Sequence, residues 1–217
     1  MGTGPPKVAS KSDMEIMMEV EVDLSARGLV RGEDGRVRPV WASLDELQRE
    51  YYDFEWGAPV RSEQGIYERL CLEGFQSGLS WATVLRKRPA FREVFAGFDP
   101  DAVAAFDEEV VEALMADARI IRNRRKITAA INNAQATVAL RGDGGLAELV
   151  WGFVPAEHAR PESAKSVQST SPESVAMAKA LKTAGFRFVG PTTCYALMQA
   201  LGMVDDRIVG ASPLIRG

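Results

Sequence analysis

The residues best suited to chemistry cluster between positions 51 and 81. YYDFEWG at 51–57 and CLEGFQSGLSW at 71–81 gather Tyr51, Tyr52, Trp56 and Trp81 in the sequence neighbourhood of one carboxylate, Glu73. Glu73 stands between Leu72 and Phe75 in a segment of apolar periodicity, where a charged side chain is costly to bury without a partner. A carboxylate beside aromatic rings suits a flat, nitrogen-rich ring. It accepts from exocyclic N–H groups and attracts positive charge, while the rings supply stacking. Taken singly, the aromatic residues are as readily core anchors and Glu73 as readily an outward-facing or arginine-paired glutamate. Their combination points to a ring-binding pocket.

A second feature is RIIRNRRK at 119–126, which places five positive charges in eight positions on a chain of net charge −4 and pI near 5.3. A tight connection between two helices at this point would present backbone amides, a helix N-terminus and arginines together, a geometry suited to a phosphate. On an acidic body such a cluster is a candidate nucleic-acid anchor. The competing reading is a solvated face whose arginines pair with Glu108, Glu109 and Glu112. Ile120 and Ile121 within the basic run favour an ordered hairpin.

Scarce residues narrow the chemistry. The chain has one histidine, His158, and two cysteines, Cys71 and Cys194, so a four-ligand Cys/His metal cage is impossible. A histidine base would rest on His158 alone, and its surroundings, EHARPESAKS, read as a solvated loop. Two distant cysteines make no disulfide framework, and a reducing cytoplasm is expected. Acidic residues interrupt the N-terminus where a signal peptide needs an apolar run, and no stretch is long enough to cross a bilayer. No membrane partner is expected.

These groups require a helical scaffold. With 217 residues, 46% hydrophobic and 26% charged, the chain fits one domain or one domain of two lobes. Ile66, Tyr67, Leu70, Cys71, Phe75 and Leu79 recur at helical spacing and predict one buried face. Asp99-Pro100 predicts a helix start, with Val103, Phe106, Val110, Leu114 and Met115 as its buried stripe. A helix from Arg124 carries Ile127, Ala130, Ile131, Ala134 and Val138 and ends at GDGG, 142–145. LAELVWGFV then forms a short helix, Ser171-Pro172 opens another that stops at Gly185, and a last one runs from about Thr192 to Leu201. Residues 1–40 differ: a disordered start, a short strand in MEIMMEVEVDL, and a turn in RGEDGRVRP. The fold class is all-α, with residues 1–40 as an N-terminal extension of β or disordered character and 41–217 as the main domain.

Four ordered segments carry a resemblance: YYDFEWG, LCLEGFQSGLSWATVLRKR, DARIIRNRRKI and GFRFVGPTTCYALMQALGMVDD. From about Trp41 to Gly210 the chain resembles the 3-methyladenine DNA glycosylase I family. The resemblance implies a helix-hairpin-helix glycosylase of two helical lobes, with that motif at about 103–140. Such an enzyme flips an alkylated nucleotide out of double-stranded DNA and hydrolyses its N-glycosidic bond. Carried over by position, Glu73 falls on the pocket glutamate, Tyr51 and Trp81 on the base-stacking aromatics, and Trp41 and Trp56 on the pocket-wall tryptophans. Gly78 and Leu79 fall on the loop that enters the DNA stack. Arg119, Arg122, Arg124, Arg125 and Lys126 fall on the DNA-anchoring hairpin.

The same resemblance implies a zinc site joining the chain ends, and here the sequence departs from the family. Pro39, Tyr52, Arg207 and Ala211 stand at the four ligand positions. No metal and no cofactor are therefore expected, and the expected substitute is Tyr52 packed in the vacated space with Arg207 paired to an acidic neighbour. Arg119 stands where the family often has glycine, and a positive φ there would strain an arginine.

The implied chemistry is sparing. Methylation at N3 makes adenine cationic, so it leaves as a neutral base without a proton donor. Asp53 and Asp206 are the carboxylates to inspect for water orientation, and no lysine nucleophile is evident, so an abasic site without strand cleavage is expected. A monomer acting on DNA with alkylated purines is the primary expectation. A glycosylase retuned to another alkylated purine and a catalytically weak lesion-binding homologue are the alternatives.

Overall fold

The computed structural model describes Met18 and residues 22–216, and these form a helical body with one small hairpin. Strands β1 (Leu29–Arg31) and β2 (Val37–Pro39) pair antiparallel, Leu29 opposite Pro39. Beyond the helical residues 22–27, the described residues form α1 (Glu46–Glu50), α2 (Glu63–Gln76), α3 (Trp81–Val94), α4 (Pro100–Ala104), α5 (Glu108–Ala116), α6 (Arg124–Leu140), α7 (Gly145–Trp151), α8 (Pro172–Thr183) and α9 (Pro191–Ala200). A single π-helical turn, Tyr51–Glu55, continues α1, closed by the Trp56 N–H donating to the Tyr51 carbonyl at 2.8 Å. Such turns insert one extra residue into a helix and re-aim the side chains that follow.

The central helix is α2. Ile66, Tyr67, Leu70, Cys71 and Phe75 are all buried on it, as their spacing predicts, whereas Leu79 lies beyond its end and is 42% exposed. Ser62 caps its start, accepting from the Gly65 N–H at 3.2 Å. Helices α6, α9 and α3 pack around α2, and one core runs from Ile66 to Val204.

Two expectations about the elements are corrected. The helix opening at Asp99-Pro100 is two helices, because Asp107 begins a second start: its carboxylate accepts from the Val110 N–H at 3.0 Å. The buried stripe accordingly shifts to Val103, Val111 and Leu114, leaving Phe106, Val110 and Met115 half-buried. The strand expected in MEIMMEVEVDL is not seen where it is described, since Met18 and residues 22–27 are helical; the rest of that segment lies outside the described residues. The turn in RGEDGRVRP is present, and its flanks are the two strands.

The hairpin is tied to the C-terminal segment. The Ser212 N–H donates to the Val37 carbonyl at 2.8 Å, and the Val37 N–H donates to Ser212 Oγ at 2.9 Å. Leu24, Leu29, Val37 and Ile208 form a second small apolar cluster, flanked by Val167 and Ala211. Arg38 is buried on β2, and its guanidinium donates to both Asp53 (2.6 Å) and Asp34 (2.5 Å). A guanidinium with carboxylates on two sides keeps its charge satisfied away from water.

Candidate active site

A cavity of about 500 Å³ opens where the π turn, α2, α9 and the hairpin meet. All five residues expected at a base pocket line it: Trp41, Tyr51, Trp56, Glu73 and Trp81. Its volume lies within the ordinary range of small-molecule sites. Tyr51 and Trp81 form one aromatic pair, their centroids 5.2 Å apart and planes tilted by 47°. Trp41 and Trp56 form another wall at 5.8 Å in an edge-to-face arrangement. The π turn makes this possible, because Tyr51 and Trp56 sit at its two ends and both reach the cavity.

Glu73 is 7% exposed, and no described residue donates a hydrogen bond to its carboxylate or pairs with it. Burial pushes its pKa up to about 8, because a low-dielectric site disfavours the charged form. The carboxyl therefore holds its proton more tightly than an ordinary glutamate does. A cationic ring placed against it would draw the proton off and supply the missing partner. Burial, with the Glu73 charge as the next cause, likewise raises the pKa of the Tyr51 phenol far above its usual value, so Tyr51 remains a neutral ring. Arg88 holds Glu55 through two hydrogen bonds at 2.6 and 2.8 Å, which anchors the π turn to α3.

The loop after α2 meets its expectation of shape. Gly78 has φ +79°, a left-handed conformation that glycine adopts without strain, and open space surrounds its α-carbon. Leu79 protrudes beside it, and Ser80 of the same loop lines the cavity. The Lys126 ammonium donates to the carbonyls of Phe75 (2.9 Å) and Ser77 (2.6 Å), satisfying the end of α2 and fixing the loop. Lys126 is 9% exposed, so the lysine grouped with the phosphate-facing residues instead positions the Leu79 loop.

The basic hairpin between α5 and α6 is ordered, with Ile120 buried and Ile121 half-buried. Its charges divide into two sets. Arg119 pairs with Asp117 (2.8 Å) and Glu93 (2.9 Å), and Arg124 pairs with Glu108 and Glu112, as the solvated-face reading anticipated for those two glutamates. Arg122 and Arg125 are exposed and carry no ion pair among the described residues. Arg119 is not among the residues with positive φ, so the strain considered for it does not arise. Lys87 of α3 donates to the carbonyls of Ala118 and Arg119 and pins the hairpin to the body.

The two candidate water-orienting carboxylates part company. Asp53 is buried against Arg38 and does not line the cavity, which removes it from that role. Asp206 does line it. His158 is exposed as a residue, in keeping with a loop histidine in contact with solvent, but its ring has a partner. His158 Nε2 lies 2.9 Å from Asp206 Oδ1, and its side chain is 21% exposed. Sequence reasoning passed over Gln48 and Gln199, both lining residues. The i,i+4 spacing of Tyr195 and Gln199 on one helix was the available signal, since both donate to Asp206.

The positions implied as zinc ligands do not suit a metal. Proline and alanine side chains at 39 and 211 have no donor atom, and Arg207 is a cation with its N–H groups already engaged. Among the described residues no three His, Cys, Asp or Glu side chains converge for a metal. Tyr52 is fully buried and stacks on Trp56 at 5.6 Å. Arg207 does not pair with an acidic side chain as expected. Its guanidinium donates to the carbonyls of Tyr52 (2.5 Å) and Trp56 (2.7 Å) and lies 4.1 Å above the Tyr52 ring.

Comparison with known proteins agrees with this geometry. Residues 41–213 match the family model described as methyladenine glycosylase. The chain is 45% identical over 173 residues to DNA-3-methyladenine glycosylase 1 of Escherichia coli, covering 78% of this chain and 92% of that protein. A crystal structure of 3-methyladenine DNA glycosylase I superposes with a TM-score of 0.78 at 45% identity, covering 82% of this chain and 100% of the other. The Staphylococcus aureus enzyme described for its recognition of 3-methyladenine superposes with a TM-score of 0.75 at 28% identity, over 80% and 94% of the two chains. A family match across most of the sequence and a relative of this identity settle the membership: the chain belongs to the methyladenine glycosylase family.

Proposed function

We propose that this protein excises 3-methyladenine from alkylated double-stranded DNA in base-excision repair, acting as a monomer in the cytoplasm and leaving an abasic site. One observation carries the reading: a buried, unpartnered Glu73 in a cavity walled by Tyr51, Trp81, Trp41 and Trp56. A cationic ring answers the carboxyl in charge and the aromatic walls in shape. A neutral adenine offers the carboxyl no charge to answer, so its affinity falls.

The derived sequence of events uses this chain's own residues. Arg122 and Arg125 meet phosphates, and Leu79 enters the stack beside the extruded nucleotide. Flipping costs a few kcal/mol, and stacking on the rings returns roughly 1–3 kcal/mol per base. Glu73 releases its proton to solvent as the cation docks and accepts from the ring's N–H groups. The C1′–N bond then breaks with its electron pair passing to the base, which leaves neutral. No lysine lines the cavity, so no covalent imine with the sugar forms and the strand stays intact.

The relatives are 3-methyladenine glycosylases by name, which supports this substrate over another alkylated purine. The test is incubation with methylated duplex DNA and chromatography of the freed purines. Release of 3-methyladenine is expected. Release of a different purine alone, or binding without release, would overturn the assignment.

A further inference from the structure

Asp206 is a second acidic residue in the wall of the cavity, and the structure surrounds its carboxylate with donors. Tyr195 Oη donates to Oδ2 at 2.8 Å, Gln199 Nε2 donates to the same oxygen at 2.6 Å, and His158 Nε2 lies 2.9 Å from Oδ1. The aspartate side chain is only 2% exposed. The donors come from two directions. Gln199 shares the main cavity with Asp206, whereas His158 and Tyr195 line a separate polar cavity of about 280 Å³ together with Glu157 and Glu173. Asp205 and Arg160 complete the charged surroundings: the Asp205 carbonyl lies 3.2 Å from His158 Nε2, and Arg160 lies 3.4 Å from the Asp205 carboxylate. A carboxylate held this firmly is a fixed charge, aimed by its neighbours and unable to swing away.

Charge moves during glycosidic cleavage. In the ground state the positive charge is on the base, where Glu73 answers it. As the C1′–N bond breaks, the pair goes to the base, the base becomes neutral, and positive charge grows on the sugar. Water then forms the new C1′–O bond and releases its proton to solvent. A group that speeds this step must interact more strongly with the late distribution than with the early one. Glu73 alone answers the early one.

We propose that Asp206 is a catalytic residue that stabilises the positive charge developing on the sugar, and that His158 is the positioning residue that holds it in place. Pre-aimed charge of this kind needs no reorganisation when the reaction occurs. The division of labour gives Glu73 to base selection and Asp206 to rate. The inference rests on the glycosylase reading above.

The experiment measures single-turnover base release from methylated duplex DNA at saturating enzyme, with affinity for abasic-site DNA measured in parallel. Asp206→Asn keeps the shape and is expected to slow release by about 100-fold while abasic-site affinity changes less than about twofold. His158→Ala, a change near the surface that leaves the core intact, is expected to slow release by about 5- to 10-fold, and His158→Gln, which retains an N–H donor, is expected to recover most of the rate. Release by Asp206→Asn at the wild-type rate overturns the assignment of Asp206, as does a loss confined to affinity. An unaltered rate in His158→Ala, or no recovery in His158→Gln, overturns the positioning role. Failure of the wild type to release any base sinks the glycosylase reading itself, so the two failures are distinguishable.

Discussion

Arg207, near the C-terminus, lies 4.1 Å above the ring of Tyr52 and donates to that residue's own carbonyl at 2.5 Å. The contact fastens the C-terminal segment to the π turn that carries Tyr51 and leads into Trp56. A second bond to the Trp56 carbonyl spans the turn. Ile215 adds a third tie, its N–H donating to the Asp53 carbonyl at 2.8 Å. Where the family's resemblance implies a metal clasp, this chain uses one guanidinium and one aromatic ring.

Arg207→Ala is therefore expected to destabilise the fold by about 2–4 kcal/mol, because it leaves the buried Tyr52 carbonyl and the half-buried Trp56 carbonyl without this donor and removes the ring's partner. Arg207→Lys should recover little, since an ammonium cannot reproduce the planar fork. Denaturant unfolding of the two variants measures this. Wild-type stability in both would show that the clasp is unimportant.

The buried Glu73 predicts a pH signature in stability. Its pKa is raised from an ordinary carboxylate value to about 8 on folding, so the folded state binds more protons than the unfolded one. Its contribution is fully present below the unfolded value of about 4.5 and is lost as pH rises through 8. Glu73→Gln removes the titration, so it should match the wild type near pH 4 and melt at a higher temperature than the wild type at pH 9. Thermal melts across that range test it. Parallel curves for the two proteins would contradict burial of the carboxyl.

How much of this could be read from the residues alone depends on range. Helix α2 was legible because its apolar spacing repeats over four turns, and Glu73 stood out against that pattern. The break between α4 and α5 was missed because Phe106 and Val110 continue the apparent stripe, although Asp107 followed by Glu108 and Glu109 is a proper helix start. The burial of Arg38 and the contact of His158 with Asp206 gave no local signal, because their partners, Asp53 and Asp206, are brought to them only by tertiary folding. Arg207 was recognised as a departure, but its acceptors are main-chain carbonyls, which no side-chain pattern announces.

The hairpin's charges are unequal, and DNA binding should reveal it. Arg122 and Arg125 face solvent without ion pairs among the described residues, whereas Arg119 and Arg124 are engaged by carboxylates. Each of Arg122→Ala and Arg125→Ala should lower duplex affinity and reduce the slope of log affinity against log salt by about 0.9. Arg119→Ala and Arg124→Ala should alter the slope less. Equal slopes for all four variants would argue against the division.

Lys126 predicts a mechanical effect. Lys126→Met keeps much of the side-chain length but leaves the carbonyls of Phe75 and Ser77 without their donor. Base release should fall while the salt slope stays at the wild-type value, because the ammonium meets no phosphate. A slope reduced as in Arg122→Ala would return Lys126 to the DNA-contacting set.

The most direct measurement compares wild type and Glu73→Gln for release of 3-methyladenine from methylated duplex DNA, each also titrated with abasic-site DNA. The account predicts that the wild type frees the base, that Glu73→Gln does so at least about tenfold more slowly, and that both bind the abasic duplex alike. Equal release by the two proteins would contradict the central claim that a buried carboxyl answers a cationic purine.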